Sequence, residues 1–484
     1  MNEVLLIYPA YEYPRKSPPL GLAYLAGYIE ANGFKPYIID FNINKIPDDS
    51  FQTLLLSRQW ILTGISFMTS QFAEASRLAD IIKRSLPEVP LIAGGPHPSS
   101  IPERTLKEIS SIDIVVKGEG EITLLDLIKT ISAKENIDKL DGIVFRKNGL
   151  ILNNPPRDLI ADLDMIPFPA WKYFEISDYN VFSISNKKDS PVFALLSSRG
   201  CPNLCTFCDS HTIFKRKFRA RSAKNIYDEI MYLNKAYGML EFDFVDDLIT
   251  LQKKRILKFC DLIRNSNIPF RWMANARVNT VDREMLLAMK DAGCIRVDFG
   301  VESGDPNVRK MIKKKISDRQ IRDAHRIAHE VGLSTGSFTM VGNLGETKQS
   351  VKMTVDLLND IGDDVMVSIA CPFPGTELYR IAKEKGFINT ENWTRYVTSP
   401  TYTPNYYPVM RTEHLNEDEI LESFYYLHSF FVQRKFRRRF GRYFFINPKF
   451  YKEWVIKPEG LQRRLNMAAR LLKSRFMDVK IRRH

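Results

Sequence analysis

Three cysteines within one short loop define the chemistry this chain could perform. The stretch Ser197-Ser198-Arg199-Gly200-Cys201-Pro202-Asn203-Leu204-Cys205-Thr206-Phe207-Cys208 forms a C-x3-C-x2-C loop directly after the apolar run Val192-Phe193-Ala194-Leu195-Leu196. Thiolates are the ligands that iron–sulfur clusters use, and three on one loop can wrap a single cubane whose fourth iron stays open. That open iron is where a reaction could start. A zinc knuckle or three unrelated buried thiols are the competing readings. Structural zinc usually pairs a C-x2-4-C unit with a second distant pair, and Cys260, Cys294 and Cys371 lie singly.

A loop of this kind has to be held by regular elements, and from Pro191 a βα alternation is legible around it. Strand candidates are Phe193–Leu196, Glu241–Val245, Arg271–Ala274, Ile295–Phe299, Ser337–Val341 and Val365–Ile369, each linked through a helical stretch. Six such units predict an open or partial (β/α)6 barrel, whose chemistry sits at the C-terminal strand ends. The other strand ends carry Asp246-Asp247, Arg277, Glu302-Ser303-Gly304 and Gly342-Asn343-Leu344-Gly345-Glu346-Thr347. Arginine clamps carboxylates, and carboxylates accept from hydroxyl or amino groups. Each residue alone reads equally well as a cap or a salt bridge; their recurrence at successive strand ends points to a site. Pro372-Phe373-Pro374-Gly375-Thr376 closes the sixth strand as a tight turn.

An earlier alternation occupies the N-terminal third. Glu3–Pro9, Tyr37–Asp40, Ile61–Ser66, Leu91–Gly95 and Ile112–Val116 read as strands, with helices over Pro19–Ile29, ending near Gly33, Ala73–Ser85 and Thr123–Ile131. This spacing predicts a parallel, doubly wound sheet. Ligands of such sheets lie beyond the C-terminal strand ends, here Ser66-Phe67-Met68-Thr69, Gly94-Gly95-Pro96-His97 and Gly118-Glu119-Gly120-Glu121. Asp141–Asn154 reads as a hairpin around Lys147-Asn148-Gly149, and Asp158–Asp189 as a linker broken by Pro167-Phe168-Pro169. The expected organisation is residues 1–135, a hairpin and linker over 136–189, a barrel over 190–388, and a helical, basic region over 389–484.

The spacing C-x3-C-x-aromatic-C after a strand resembles the signature of the radical SAM superfamily. PPLGLAYLAGYIEANGF, AGGPHP and VVKGEGEITLLDL are similar to the cobalamin-binding domain that precedes the radical core in one branch of it. The resemblance implies an α/β protein: a flavodoxin-like doubly wound sheet, a partial barrel and a helical C-terminal region. It implies that Cys201, Cys205 and Cys208 hold a 4Fe-4S cluster whose open iron chelates S-adenosylmethionine (SAM), and that Phe207 flanks the adenine. Asp246, Asp247, Arg277, Glu302 and Ser303 would contact SAM, and Ser66, Gly94, Gly95, Gly118 and Glu119 would line the cobalamin site. Other cobalamin domains carry D-x-H-x-x-G; Asp40-Phe41-Asn42-Ile43-Asn44 lacks that histidine and glycine, so cobalt would have no histidine below it. His97 reads as a turn-capping residue first and a cobalt ligand second.

In this branch, one electron, supplied by a donor such as flavodoxin or ferredoxin, cleaves SAM to a 5'-deoxyadenosyl radical that removes hydrogen from an unactivated carbon. Methylcobalamin then delivers a methyl group, which a second SAM replenishes. The resemblance therefore implies C-methylation of a lipid, tetrapyrrole or other apolar small molecule. Radical ring closure or rearrangement without methyl transfer is the alternative. An RNA-modifying enzyme is disfavoured because the N-terminal domain lacks the cysteines for a second cluster, and a cobalamin sensor because it needs no cluster loop.

Length and charge bound the rest. At 484 residues the chain exceeds one core. Single cysteines argue against a disulfide framework. The start lacks the basic and apolar pattern of a signal peptide, and no apolar run approaches the ~18 residues of a membrane span, so a cytoplasmic protein is expected. From Phe431 onward seventeen Lys and Arg face three Asp and Glu, while the whole chain carries +13. The basic character thus belongs to the C-terminal region, where Arg434-Lys435-Phe436-Arg437-Arg438-Arg439-Phe440 interleaves charge with aromatics. Three readings stand: a helical cap with solvated arginines, peripheral contact with an anionic membrane, or an RNA arm.

Overall fold

A computed structural model describes residues 3–11, 17–179, 192–362, 364–401, 403, 406–443 and 447–450. The first sheet takes β1 (Glu3–Tyr8), β2 (Lys35–Asp40), β3 (Trp60–Ser66), β4 (Leu91–Gly94) and β5 (Ile114–Val116) in the order β2-β1-β3-β4-β5, all parallel. Its strands are near-continuous apolar runs because both faces are covered: Leu5 and Ile7 enter one cluster of buried side chains, Val4 and Leu6 another. The antiparallel hairpin of β6 (Ile143–Lys147) and β7 (Leu150–Asn153) extends the sheet beyond β5. Asn148 and Gly149 both take positive φ, 51° and 77°, matching the twist a two-residue hairpin loop needs.

The second sheet follows β8 (Val192–Leu195) and a two-residue antiparallel ladder of β9 (Ser198–Arg199) with β10 (Arg219–Ala220). It continues through β11 (Glu241–Phe244), β12 (Arg271–Ala276), β13 (Cys294–Glu302), β14 (Ser334–Val341) and β15 (Asp364–Ile369). Six parallel strands run in the order β8-β11-β12-β13-β14-β15, the predicted open barrel. Trp272 anchors its core, stacked on Phe242 and edge-on to Phe244 and Phe259, with its indole N–H donating to Ala292 O at 2.8 Å.

An open sheet leaves two edges to protect. Beside β8, Trp171 is 1% exposed and meets Phe193 edge-on at 5.1 Å. The segment expected to be a plain linker is therefore packed: it forms three 3-10 turns over Leu163–Met165, Trp171–Tyr173 and Ile176–Asp178. It also crosses the helix Leu20–Ala31, where Ala170 N donates to Ala23 O at 2.9 Å. Proline spacing showed the broken backbone but not the aromatic burial. Residues 180–189 of that predicted linker lie outside the described residues. A helix over Asp48–Leu56 was not anticipated, although Pro47 followed by Asp48 and Asp49 is a helix-start signal.

The β15 edge is covered by the helix Glu417–Phe440, which buries Ile420, Phe424, Leu427 and Phe431 against the barrel. It starts with a capping box, Asn416 Oδ1 accepting from Glu419 N at 2.9 Å. Ile420 lies against Gly342 at the C-terminal end of β14. At the other end Arg438 donates to Gly362 O at 2.9 Å and Lys435 pairs with Asp364 at 3.4 Å, where β15 begins. The helix thus caps this edge of the barrel, and its basic end lies at the pole opposite the C-terminal strand ends. Phe444, Phe445 and residues 451–484 of the basic region lie outside the described residues. No helix among those described is long and apolar enough to cross a membrane.

Candidate active site

The cysteine loop is built from the strand before it. Asp246, at the end of β11, accepts from Ser197 N at 3.0 Å, Ser197 Oγ at 2.7 Å and Ser198 Oγ. Arg255 adds donation to Ser197 O at 3.0 Å. Burial pushes the Asp246 carboxyl up, while these donors and Arg255 pull the other way. Asp246, expected to contact SAM, is engaged on both oxygens by the segment that leads into the loop. Its neighbour Asp247 faces the loop itself, accepting from Ser210 Oγ at 2.5 Å, with its carboxyl raised by burial.

Donors converge on the cysteine sulfurs. Asn203 Nδ2 lies 3.0 Å from Cys201 Sγ, and Arg277 Nη1 lies 3.8 Å from Cys205 Sγ. The Thr206 hydroxyl is buried without a partner. Cys205 is buried, Cys201 and Cys208 half-buried, and none is in a disulfide. Burial pushes the Cys208 thiol up to about 12, with Asp209 and Asp247 adding to it. Among the described residues no three His, Cys, Asp or Glu side chains gather as a single ion would require; a cubane asks for thiols that surround a space.

Arg277, just after β12, links the loop to Lys314 and through it to Glu302 at the end of β13. Arg277 also donates to Lys314 O, and Lys314 Nζ pairs with Glu302 Oε1 at 2.6 Å, both side chains under a tenth exposed. Glu302 has φ +67°, a conformation a non-glycine residue holds only where surrounding contacts enforce it. Lys314 was missed from sequence because it sits in the run Lys313-Lys314-Lys315, which reads as solvated charge. Ser303 is buried with its hydroxyl turned to Thr354 Oγ1 (3.4 Å) and Asp305 N (3.2 Å), so it supports the turn. Phe207 packs against the cluster of Leu344, Ala370, Leu378, Ala382, Phe387 and Met410.

At the C-terminal ends of β1, β3, β4 and β5 lies a cavity of about 380 Å³, within the range of cofactor pockets. Ser66, Gly94, Gly95, Gly118 and Glu119 all line it, together with Met68, Leu20 and Tyr24. A Cβ at Gly94 would meet nothing within 4 Å, so bare backbone is presented to the space. Leu196, Arg199, Ile213 and Phe214, from either side of the cysteine loop, close it on the barrel side. Glu119 is not a free acceptor: it pairs with Arg199 at 2.8 Å and Arg219 at 2.7 Å. Although burial works against its charge, those arginines hold its carboxyl below the usual range.

Among the described residues no histidine lines this cavity. His97 fits neither reading offered for it. It is fully buried among Phe67, Phe72 and Trp393, its Nδ1 3.2 Å from Thr69 Oγ1 and its Nε2 without a partner. Burial lowers it to about 3, so it packs as a neutral aromatic. Asn42, where other cobalamin domains place histidine, donates to Asp40 Oδ1 at 3.0 Å and accepts from Tyr11 N at 2.9 Å.

The radical SAM superfamily model matches residues 195–358, and the B12 binding domain model matches residues 11–128. An uncharacterized methyltransferase of Pyrococcus horikoshii is 33% identical over 427 residues, covering 86% of this chain and 90% of that protein. The chain belongs to the cobalamin-dependent radical SAM enzymes. The anaerobic magnesium-protoporphyrin IX monomethyl ester cyclase of Rubrivivax gelatinosus is 27% identical, covering 93% of this chain and 79% of that one. The cytidylyl-2-hydroxyethylphosphonate methyltransferase of Streptomyces wedmorensis is 28% identical, covering 81% and 83%. Among solved structures, the cobalamin-dependent SAM radical enzyme OxsB superposes with a TM-score of 0.73 at 19% identity, over 98% of this chain and 72% of that one. The radical SAM methyltransferase TsrM of Kitasatospora setae gives 0.67 at 18%, over 81% and 77%. These likenesses establish the shared fold.

A cobalamin-dependent radical SAM enzyme uses a 4Fe-4S cluster, SAM and cobalamin, and the residues present suit all three. Thiols flanked by an amide, a guanidinium and an unpartnered hydroxyl suit an anionic cluster, whose sulfurs take hydrogen bonds. Glu302 with Lys314, Arg277 and Asp247 offers both charge signs to an amino acid and a ribose. The bare-backboned cavity across the cysteine loop suits a broad, flat macrocycle.

Proposed function

We propose that this enzyme methylates an unactivated carbon of an apolar small molecule, such as a lipid or tetrapyrrole. The observation that carries the reading is adjacency: Arg199 and Phe214, on either side of the cysteine loop, are walls of the N-terminal cavity. In this reading Cys201, Cys205 and Cys208 hold the cluster. Asp247, Arg277 and Glu302 hold SAM, and Ser66, Gly94, Gly95 and Gly118 form the bed for cobalamin. The bound cofactors supply a carbon-activating radical and a transferable methyl group. Arg277 and Asn203 stabilise negative charge at the thiolates, and Lys314 holds the Glu302 carboxylate. Asp246 fixes the segment entering the loop, and the apolar cavity lining excludes water. Methyltransferases among the relatives support the reaction type.

Radical cyclisation is the second reading, favoured by the Rubrivivax cyclase relative that covers 93% of this chain. The electron would come from an acidic carrier such as flavodoxin or ferredoxin. Leu204 (44%) of the loop and Met311 (45%) are exposed, as are Lys215, Lys217 and Lys315. The basic C-terminal region would give peripheral contact with an anionic membrane.

Anaerobic reconstitution with iron, sulfide and hydroxocobalamin, followed by turnover with methyl-deuterated SAM and candidate lipids or tetrapyrroles, tests the reading. About four irons per chain, one cobalamin and 5'-deoxyadenosine that disappears in Cys205→Ala are expected, with label in the product. Deoxyadenosine with an unlabelled, ring-closed product would transfer the assignment to cyclisation. Zinc without iron would remove both.

A further inference from the structure

Between the two sheets lies a closed ionic cluster that neither the fold nor the cofactor sites require by themselves. Arg199 Nη1 pairs with Glu119 Oε1 at 2.8 Å and its Nη2 with Glu121 Oε1 at 2.6 Å. Arg219 pairs with the other Glu119 oxygen at 2.7 Å. All four side chains are a tenth exposed or less. Two cations against two anions leave the cluster balanced, and Glu119 Oε2 also accepts from Ile160 N at 3.0 Å. Arg199 and Arg219 are opposite one another in the β9–β10 ladder. The cluster therefore joins that ladder to the turn before helix Glu121–Ser132.

Its two ends lie at the two cofactor sites. Glu119 and Glu121 line the N-terminal cavity, as does Arg199. Only Gly200 separates Arg199 from Cys201. Gly200 has φ +81°, and a side chain there would run into Lys217 O, so the backbone between the guanidinium and the thiol is confined. Buried, charge-assisted pairs with matched geometry tolerate little displacement of either partner. Whatever fixes the Gly118–Glu121 turn therefore fixes the first cysteine.

We propose that Arg199 is a positioning residue that links the two cofactor sites, so that filling the N-terminal cavity with cobalamin holds Cys201 in its cluster-binding position and the cluster in turn tightens cobalamin. This rests on the cofactor assignments proposed above. Linkage requires the effects of each cofactor on the other's equilibrium affinity to be equal in factor, and the rate at which the cluster is stripped to move in the same direction.

The test uses the full chain, wild type and Arg199→Lys, with Glu121→Gln as a second variant that keeps the side-chain shape. Two quantities are measured: the rate at which an iron chelator strips the cluster with and without bound hydroxocobalamin, and the hydroxocobalamin Kd with and without the cluster. In wild type, cobalamin should slow stripping and the cluster should tighten Kd by about fivefold or more each. Both ratios should fall to near one in whichever variant folds, each cofactor still binding. A residue with a merely structural role would weaken both cofactors and leave the ratios intact, and that result overturns the proposal, as do wild-type ratios of one. Wild-type protein that takes up no iron or no cobalamin would instead show that the cofactor assignments have failed.

Discussion

Asp246 and Asp247 are adjacent in the chain yet face different partners, and their partners decide what each can be spared for. The Asp246 carboxylate accepts from the Ser197 amide and holds both serine hydroxyls. Asp246→Ala would strand those buried donors beside Arg255, an effect of about 1–3 kcal/mol. Its denaturation midpoint should fall and its iron content drop, because the freed segment carries the loop. Asp247 holds Ser210 and the Gly200 amide at the rim of the loop. Asp247→Ala should stay closer to wild type in stability and show its loss as weaker SAM binding in equilibrium dialysis. Equal destabilisation of the two variants, with SAM affinity unchanged in the second, would assign both to scaffolding.

At the scale of elements, the loop after β14 carries a carboxyl in an unusual position. Glu346 is 1% exposed, and burial raises it from 4.5 to about 8 despite donation from Gly342 N at 2.5 Å. The folded chain therefore binds this proton more tightly than the unfolded chain does. The stabilisation is complete below about pH 4.5, declines as pH rises, and is exhausted above about pH 8. Glu346→Gln keeps an acceptor for Gly342 and cannot ionise. Denaturation midpoints of variant and wild type should differ little at the acid end and diverge toward pH 8, the variant being the more stable; parallel curves would contradict the assignment. The same loop marks the limit of sequence reading. Strands, cysteine spacing and glycine-rich ends are local patterns and were legible. Whether a strand-end polar group faces the site depends on distant partners: Ser197 lies 49 residues before Asp246, and Arg199 lies 80 after Glu119. The sequence therefore places Asp246, Ser303 and Glu119 at strand ends, while their partners Ser197, Thr354 and Arg199 are set by the fold. Lys314 was overlooked because only Glu302, twelve residues away, distinguishes it from its neighbouring lysines.

For the whole molecule, the distribution of charge separates two surfaces. The basic end of helix Glu417–Phe440 lies where β15 begins, far from the cysteine loop, so it cannot serve electron delivery. The loop has basic residues of its own nearby: Arg216 donates to Asn203 O at 2.6 Å, with exposed Lys217 next to it in the chain and Lys215 donating to Arg157 O at 2.9 Å. Thr206 N donates to Ile312 O at 3.1 Å, bringing in Met311 and Lys315 from the other side. Exposed apolar residues with lysines near them in the chain suit an acidic protein carrier, and such pairing governs association rate and its salt dependence. Reversing the charge at Lys215 and Lys217 together (Lys215→Glu, Lys217→Glu) should slow cluster reduction by reduced flavodoxin about tenfold or more at low salt. The difference should shrink as ionic strength rises, with a Debye length of about 8 Å at 0.15 M. Reduction by dithionite, a small ion that needs no docking surface, should be far less affected. If both reductants slow equally, the lysines act on the cluster loop itself and the carrier docks elsewhere.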